Sequence, residues 1–160
     1  MFLTLKLFLL FSECPTEESP YYASFGNTCY YFDTVERTIL EARLNCIDNH
    51  GKLWEPKTLD RMNQIQIKGM EFATQTMWWV GITDEQNEGN FYYYSNLENF
   101  NFTPNSAPWR EDEPNGGTAE NCVSMGRTIM VFFDIKCNEG RKATSICEYQ
   151  FDGPSKTINT

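Results

Sequence analysis

Apolar and polar positions alternate along this chain in a way that changes period several times, and each change predicts an element. Tyr21-Tyr22 with Phe25, then Cys29-Tyr30-Tyr31-Phe32, are two short apolar runs flanking Gly26-Asn27, which predicts a β-hairpin. From Thr34 to His50, Val35, Ile39, Ala42, Leu44 and Cys46 keep mostly helical spacing, and Gly51 supplies a stop. Leu53-Trp54-Glu55-Pro56 reads as an extended bridge. Thr58 and then Arg61 to Phe72 give a second amphipathic helix through Met62, Ile65, Ile67 and Met70. Trp78-Trp79-Val80-Gly81-Ile82 is a continuous apolar run bounded by polar residues, the pattern of a strand buried on both faces and the expected centre of the core.

The pattern then loosens. Between Thr83 and Glu120 the chain is rich in Asn, Pro and Gly, broken by an aromatic strand at Phe91 to Tyr94. An irregular stretch of that length inside a compact domain usually carries function. Short strands at Cys122 to Met125, Ile129 to Asp134 and Ser145 to Tyr149 close the chain. Helices early and strands late predict an α+β domain with a mostly antiparallel sheet.

Composition narrows the class. The 160 residues suit one domain with a sizeable core, and 15% aromatic residues supply the material for it. A formal net charge of -9 repels phosphate backbones and argues against nucleic acid as a partner. The six cysteines, at 14, 29, 46, 122, 137 and 147, include no Cys-x-x-Cys pair, so disulfides in an oxidising compartment are the better reading. Cys14 and Cys29 are placed to staple the first hairpin. Lys6 followed by Leu7-Phe8-Leu9-Leu10-Phe11 reads as part of a signal peptide over 1–12, with the domain at 13–151 and a flexible tail at 152–160. No other stretch approaches the roughly 20 apolar residues of a spanning helix. Asn101-Phe102-Thr103 is an N-glycosylation acceptor pattern, which agrees with secretion.

Four groups of residues together resemble a known family: Cys29-Tyr30-Tyr31-Phe32 with Ala42 and Cys46, Trp79-Val80-Gly81-Ile82, Glu113-Pro114-Asn115, and Cys122 to Cys147 with Asp134 and Cys137 between them. In order and spacing they resemble a C-type lectin domain of the long form, from about Cys14 to Glu148. Among the 15 pairings open to six cysteines, the resemblance implies Cys14–Cys29, Cys46–Cys147 and Cys122–Cys137. Closing a loop of about a hundred residues is worth on the order of 4–5 kcal/mol in the chain-entropy view.

The resemblance also implies a calcium site at Glu113, Asn115, Glu120 and Asp134. Calcium is a hard cation that takes six to eight oxygen ligands, and these residues are carboxylates and an amide. A carboxylate on calcium accepts from a sugar hydroxyl, while an amide whose oxygen holds calcium donates through its nitrogen, so one vicinal diol satisfies both. The order Glu113-Pro114-Asn115 resembles the family's mannose-type arrangement and implies mannose, N-acetylglucosamine or fucose on cell-surface glycans or glycoproteins. Pro114 is expected to be cis. A second calcium position used by some family members would draw on Asp84, Glu88, Glu120 and Asn121. Gly116 stands where a further acidic ligand of that position is expected.

One departure matters. Where the family has Trp-Asn-Asp, this chain reads Phe132-Phe133-Asp134, so position 133 offers neither a ligand oxygen nor an amide donor. Phe133, with aromatic residues at 91–94, 100 and 102, favours a rival of the same fold that binds a protein or other non-sugar ligand without calcium. An enzyme fares worse: the single histidine, His50, falls at a helix end, and no Cys-His or Ser-His-Asp arrangement can be built if all cysteines are bridged. Oligomeric state is left open, a homo-oligomer included.

Overall fold

A computed structural model describes residues 13–72, 77–102, 107–138 and 140–151. The signal-peptide segment, the tail from Asp152 and Thr103 of the glycosylation tripeptide lie outside the described residues. In chain order the elements are β1 (Tyr22–Phe25), β2 (Thr28–Arg37), α1 (Ile39–Asp48), β3 (Lys52–Leu53), α2 (Leu59–Gly69), β4 (Met77–Thr83), β5 (Tyr92–Tyr93), a 3-10 turn at Gly117–Ala119, β6 (Cys122–Gly126), β7 (Phe132–Ile135) and β8 (Ala143–Gln150). The sheet runs β1-β2-β8-β4-β6-β7, with β3 added to β8 and β5 to β4. Its pairs are antiparallel except β4 with β8, where Trp78 and Trp79 face Thr144 and Ser145 in parallel. This is an α+β fold with a mixed sheet.

β4 divides the core. Because side chains alternate along a strand, Trp78, Val80 and Ile82 enter one cluster with Met62 and Ile65 of α2. Trp79 enters the other with Ile39, Ala42 and Cys46 of α1. The two helices therefore cover the sheet through different faces, and β4 is buried from both sides. Gly81 is required by a close approach: a Cβ there would lie 2.7 Å from the Leu53 carbonyl oxygen and 2.8 Å from Glu55 Cγ.

The first helix is shorter than its pattern. β2 runs on to Arg37, and α1 starts only at Ile39, where Thr38 and Glu41 form a capping box. Val35 is therefore a strand residue, 51% exposed, and Leu44, also counted to the buried stripe, is 48% exposed. At the other end His50 takes the left-handed conformation at φ 64°. Its amide donates to Ile47 and that of Gly51 to Cys46, the Schellman closure of a helix. The second helix stops at Gly69, and Ile67 within it, read as part of the apolar stripe, is 71% exposed. The aromatic strand shrinks to Tyr92–Tyr93, and the strand read from Ile129 begins at Phe132.

Three disulfides join Cys14 to Cys29, Cys46 to Cys147 and Cys122 to Cys137. The second ties α1 to β8 across 101 residues of sequence. A buried ionic cluster lies nearby: the Lys52 ammonium pairs with Glu55 and, at 3.1 Å, with Glu148. Burial alone would lower the Lys52 pKa, but the two carboxylates hold it above its usual value. Burial pushes Glu148 up. Removing the cation would leave two buried carboxylates facing each other. Lys52→Met should cost about 3–5 kcal/mol, read by chemical denaturation; a loss below about 1 kcal/mol would mean the cluster is solvated.

Candidate metal and ligand site

The long loop is nailed to β7 by aromatic rings. Phe132, wholly buried, meets Trp109 at 5.8 Å, Phe102 at 5.9 Å and Phe100 at 6.0 Å between centroids. Backbone bonds repeat the attachment: Phe132 N–H donates to Pro108, and Arg110 N–H donates to Phe132. Arg110 thus opens the segment that carries the candidate ligands. The Glu113 amide donates back to the Arg110 carbonyl at 3.0 Å, Asp112 sits at φ 67°, and the Glu113-Pro114 bond is cis.

Asp134 then fixes the far side of the turn. Its Oδ1 accepts the Asn115 amide at 3.0 Å and its Oδ2 the Gly116 amide at 2.8 Å. Past Gly116 the chain makes the 3-10 turn and brings Glu120 back over it. A Cβ on residue 116 would lie 2.2 Å from Glu120 Cβ and 2.4 Å from Glu120 Oε2. The position where a further acidic ligand is expected has no room for a side chain while Glu120 stands there.

The result is a gathering of negative charge. Burial, a hydrogen bond to the Asp134 carboxylate and the charges of Asp134 and Glu120 push Glu113 up to about 7, with Arg110 opposing. Burial would raise Asp134 too, but the Glu113 hydrogen bond and the Gly116 and Asn115 amides hold it below the usual carboxylate range. Glu113 Oε2 is buried without a hydrogen-bond partner. Glu88 is raised by desolvation and by the charges of Asp84 and Asp134, so these three also share one region. Asp84 accepts the Gly89 amide through Oδ2 at 2.9 Å and leaves buried Oδ1 unpartnered.

Glu113, Glu120 and Asp134 are therefore brought together, with Asn115 held by its backbone. Asn121 is less engaged: its carbonyl accepts from Thr83 and its side-chain amide reaches the Thr118 carbonyl at 3.5 Å. Phe133 turns to the opposite side of β7 from Asp134 and packs with the second core cluster. Among the described residues no three Asp, Glu, His or Cys side chains already form a metal cage. The donor set still suits a hard cation, because a carboxyl pair sharing a proton beside an unpartnered buried oxygen is what a divalent ion would replace with coordination. Two depressions of about 290 and 250 Å³ lie elsewhere, both lined by Lys52 and Glu55. Sequence reasoning passed over Arg110, whose only mark is that it heads the acidic run Glu111-Asp112-Glu113.

A family model for the Lectin C-type domain matches residues 35–149. The chain belongs to the C-type lectin domain family. This lectin domain is 35% identical over 98 residues to C-type lectin mosGCTL-7 of Aedes aegypti, a match covering 58% of this chain and 62% of that protein. It spans less than two thirds of that relative's length. Among solved structures, the mouse scavenger receptor C-type lectin carbohydrate-recognition domain superposes with a TM-score of 0.70 at 19% identity, covering 84% of this chain and 98% of that one. The cow CD23 carbohydrate-recognition domain, solved in the presence of a GlcNAc2Man3 oligosaccharide, gives 0.69 at 23%, covering 82% and 95%. These two likenesses speak for the fold. The family is not enzymatic, and among the described residues no helix is long and apolar enough to cross a membrane.

The raised Glu113 has a consequence for the metal-free lectin domain. Its folded pKa near 7 exceeds the ordinary value of 4.5. The folded state thus holds a proton that the unfolded state releases, a stability contribution complete below pH 4.5 and lost as pH rises through 7. Asp134 is ionised in both states across that window and adds no slope. In chelator, Tm should fall between pH 5 and pH 8, and Glu113→Gln should flatten that fall; equal slopes for the two proteins would count against the carboxyl pair.

Proposed function

We propose that this lectin domain is a secreted, calcium-dependent carbohydrate-binding protein. Glu113, Asn115, Glu120 and Asp134 would hold the calcium ion, and a vicinal diol of mannose, N-acetylglucosamine or fucose would complete its coordination. The observation that carries the reading is the facing of Glu113 and Asp134 across a turn that ends in Asn115, with Glu113 Oε2 buried and unpartnered. Calcium supplies a point to which two neighbouring hydroxyls bind. The protein's own share is to aim the carboxylates and to present exposed Asn115, whose side-chain carbonyl would serve the ion and whose nitrogen would donate to the sugar. Glycans of cell surfaces or glycoproteins are the ligands, in line with the oligosaccharide in whose presence the cow CD23 domain was solved. Three disulfides fit the oxidising exterior, and exposed Asn101 is the acceptor for an N-linked glycan. A second calcium between Asp84, Glu88, Glu120 and Asn121 is a weaker part of the proposal, since Asn121 faces Thr118.

Phe133 favours a second reading, a calcium-independent domain of the same fold that binds a protein or other non-sugar ligand. It removes one oxygen and one donor from the site, and an ordinary packing role against Gly126 accounts for its ring. Chromatography separates the two. The protein should be retained on immobilised mannose in calcium and released by chelator; passage through the column in calcium, or retention untouched by chelator, would favour the second reading. Exchanging the two polar ends of the motif, Glu113→Gln with Asn115→Asp, should move retention from mannose toward galactose, and unchanged selectivity would remove these residues from the sugar site.

A further inference from the structure

Asn115 and Gly116 form the one Asn-Gly pair in the sequence. Asparagine before glycine is the most reactive setting for intramolecular deamidation, because no side chain shields the following backbone nitrogen from the asparagine Cγ. The fold does not allow a bulkier residue to relieve that reactivity, since a Cβ on residue 116 would lie 2.2 Å from Glu120 Cβ. Asn115 is exposed, so the water that completes the reaction has access. The same turn nevertheless holds the reaction back. The nucleophile is the Gly116 nitrogen after loss of its proton, and that proton is the one donated to Asp134 Oδ2 at 2.8 Å. The Asn115 amide donates to Asp134 Oδ1 at 3.0 Å, so one carboxylate grips the backbone on both sides of the Asn115 Cα. The Gly116 carbonyl is held as well, accepting from the Ala119 amide at 3.3 Å. A negative amide nitrogen would form beside the carboxylates of Asp134 and Glu120, whose like charge disfavours it.

We propose that Asn115-Gly116 is a self-modification site of this loop, and that Asp134 is the positioning residue that keeps it an amide. When the hydrogen bond to Asp134 opens, the Gly116 nitrogen attacks Asn115 Cγ. A bond forms between them, the bond from Cγ to Nδ2 breaks, and ammonia leaves with the proton given up by Gly116. Water then opens the succinimide at either carbonyl, its hydroxyl going to the carbon and its proton to the ring nitrogen, and the product is aspartate or isoaspartate. Nothing is oxidised or reduced. Either product adds a negative charge to a turn that already gathers Glu113, Glu120 and Asp134. Isoaspartate also lengthens the main chain between the two amides that Asp134 holds, so the turn cannot close on that carboxylate as before. The proposal stands on the geometry of the turn and is independent of calcium or sugar binding.

The test incubates the full chain with chelator present and follows, by mass spectrometry, the tryptic fragment 111–127, which carries Asn115 and, as an internal reference, Asn121. Asp134→Ala should deamidate at Asn115 on the order of tenfold faster than the unsubstituted protein, the effect of losing a charge-assisted hydrogen bond. Asn121 should keep its rate, and the two proteins should match each other in urea. An unchanged Asn115 rate in the variant would overturn the proposal. So would a slower one, which would make the carboxylate a base for the reaction, or a parallel rise at Asn121, which would mean general loosening. If Asp134→Ala does not fold, the unsubstituted protein decides. Its Asn115 should deamidate more slowly folded than in urea, and hydrogen exchange should find the Gly116 amide protected although it lies in a loop. Equal rates in the two states, or a freely exchanging Gly116 amide, would overturn the proposal.

Discussion

The pair of amide hydrogen bonds accepted by Asp134 is the constraint on which the rest of the site depends. One carboxylate at the end of a short strand captures Asn115 at 3.0 Å and Gly116 at 2.8 Å and so determines where the turn from Glu113 to Glu120 can lie. The strand can bear that duty because Phe132, two residues earlier, is locked among Trp109, Phe100 and Phe102. Apolar packing holds β7 in place, β7 holds Asp134, and Asp134 holds the loop. The negative charge that collects there, enough to keep a proton on Glu113 near neutral pH, is the cost of placing several oxygens toward one point without a cation.

Much of the architecture was legible because it rests on simple periodicities. The run from Trp78 to Ile82 is apolar throughout because β4 is covered on both faces, and nothing in the fold overrides that pattern. The hairpin turn at Gly26-Asn27 was legible for a similar reason, since Gly26 takes φ 64°. The first helix was misread at its start. Val35 fits a helical spacing, but the amide of Val35 donates to Asp33 and the Thr38–Glu41 capping box fixes the beginning later. Local polar capping outweighed a weak apolar stripe. The short strand at Tyr92–Tyr93 was overextended because Phe91 and Tyr94 are aromatic for other reasons, Phe91 stacking on Trp109 and Tyr94 on Arg43.

For the site, sequence spacing identified the residue types and a family resemblance grouped them, but neither carried the electrostatics. Glu88 feels Asp134 only because the loops around β5 and β7 converge, a long-range fact with no local trace. The absence of a side chain at Gly116 was visible; its cause, the overlying Glu120, was not. Arg110 was passed over because a lone cation before three acidic residues reads as an ordinary solvated charge, and only the fold lays it over Phe133 rather than against its sequence neighbours.

The central claim is that this arrangement of carboxylates is completed by calcium. Calorimetric titration of calcium into chelator-treated protein tests it most directly. The account predicts a saturable heat at the Glu113 site accompanied by proton release near pH 7, because Glu113 would have to lose its proton to hold the ion. A titration with no heat beyond dilution, and no proton release in buffers of different ionisation enthalpy, would contradict it.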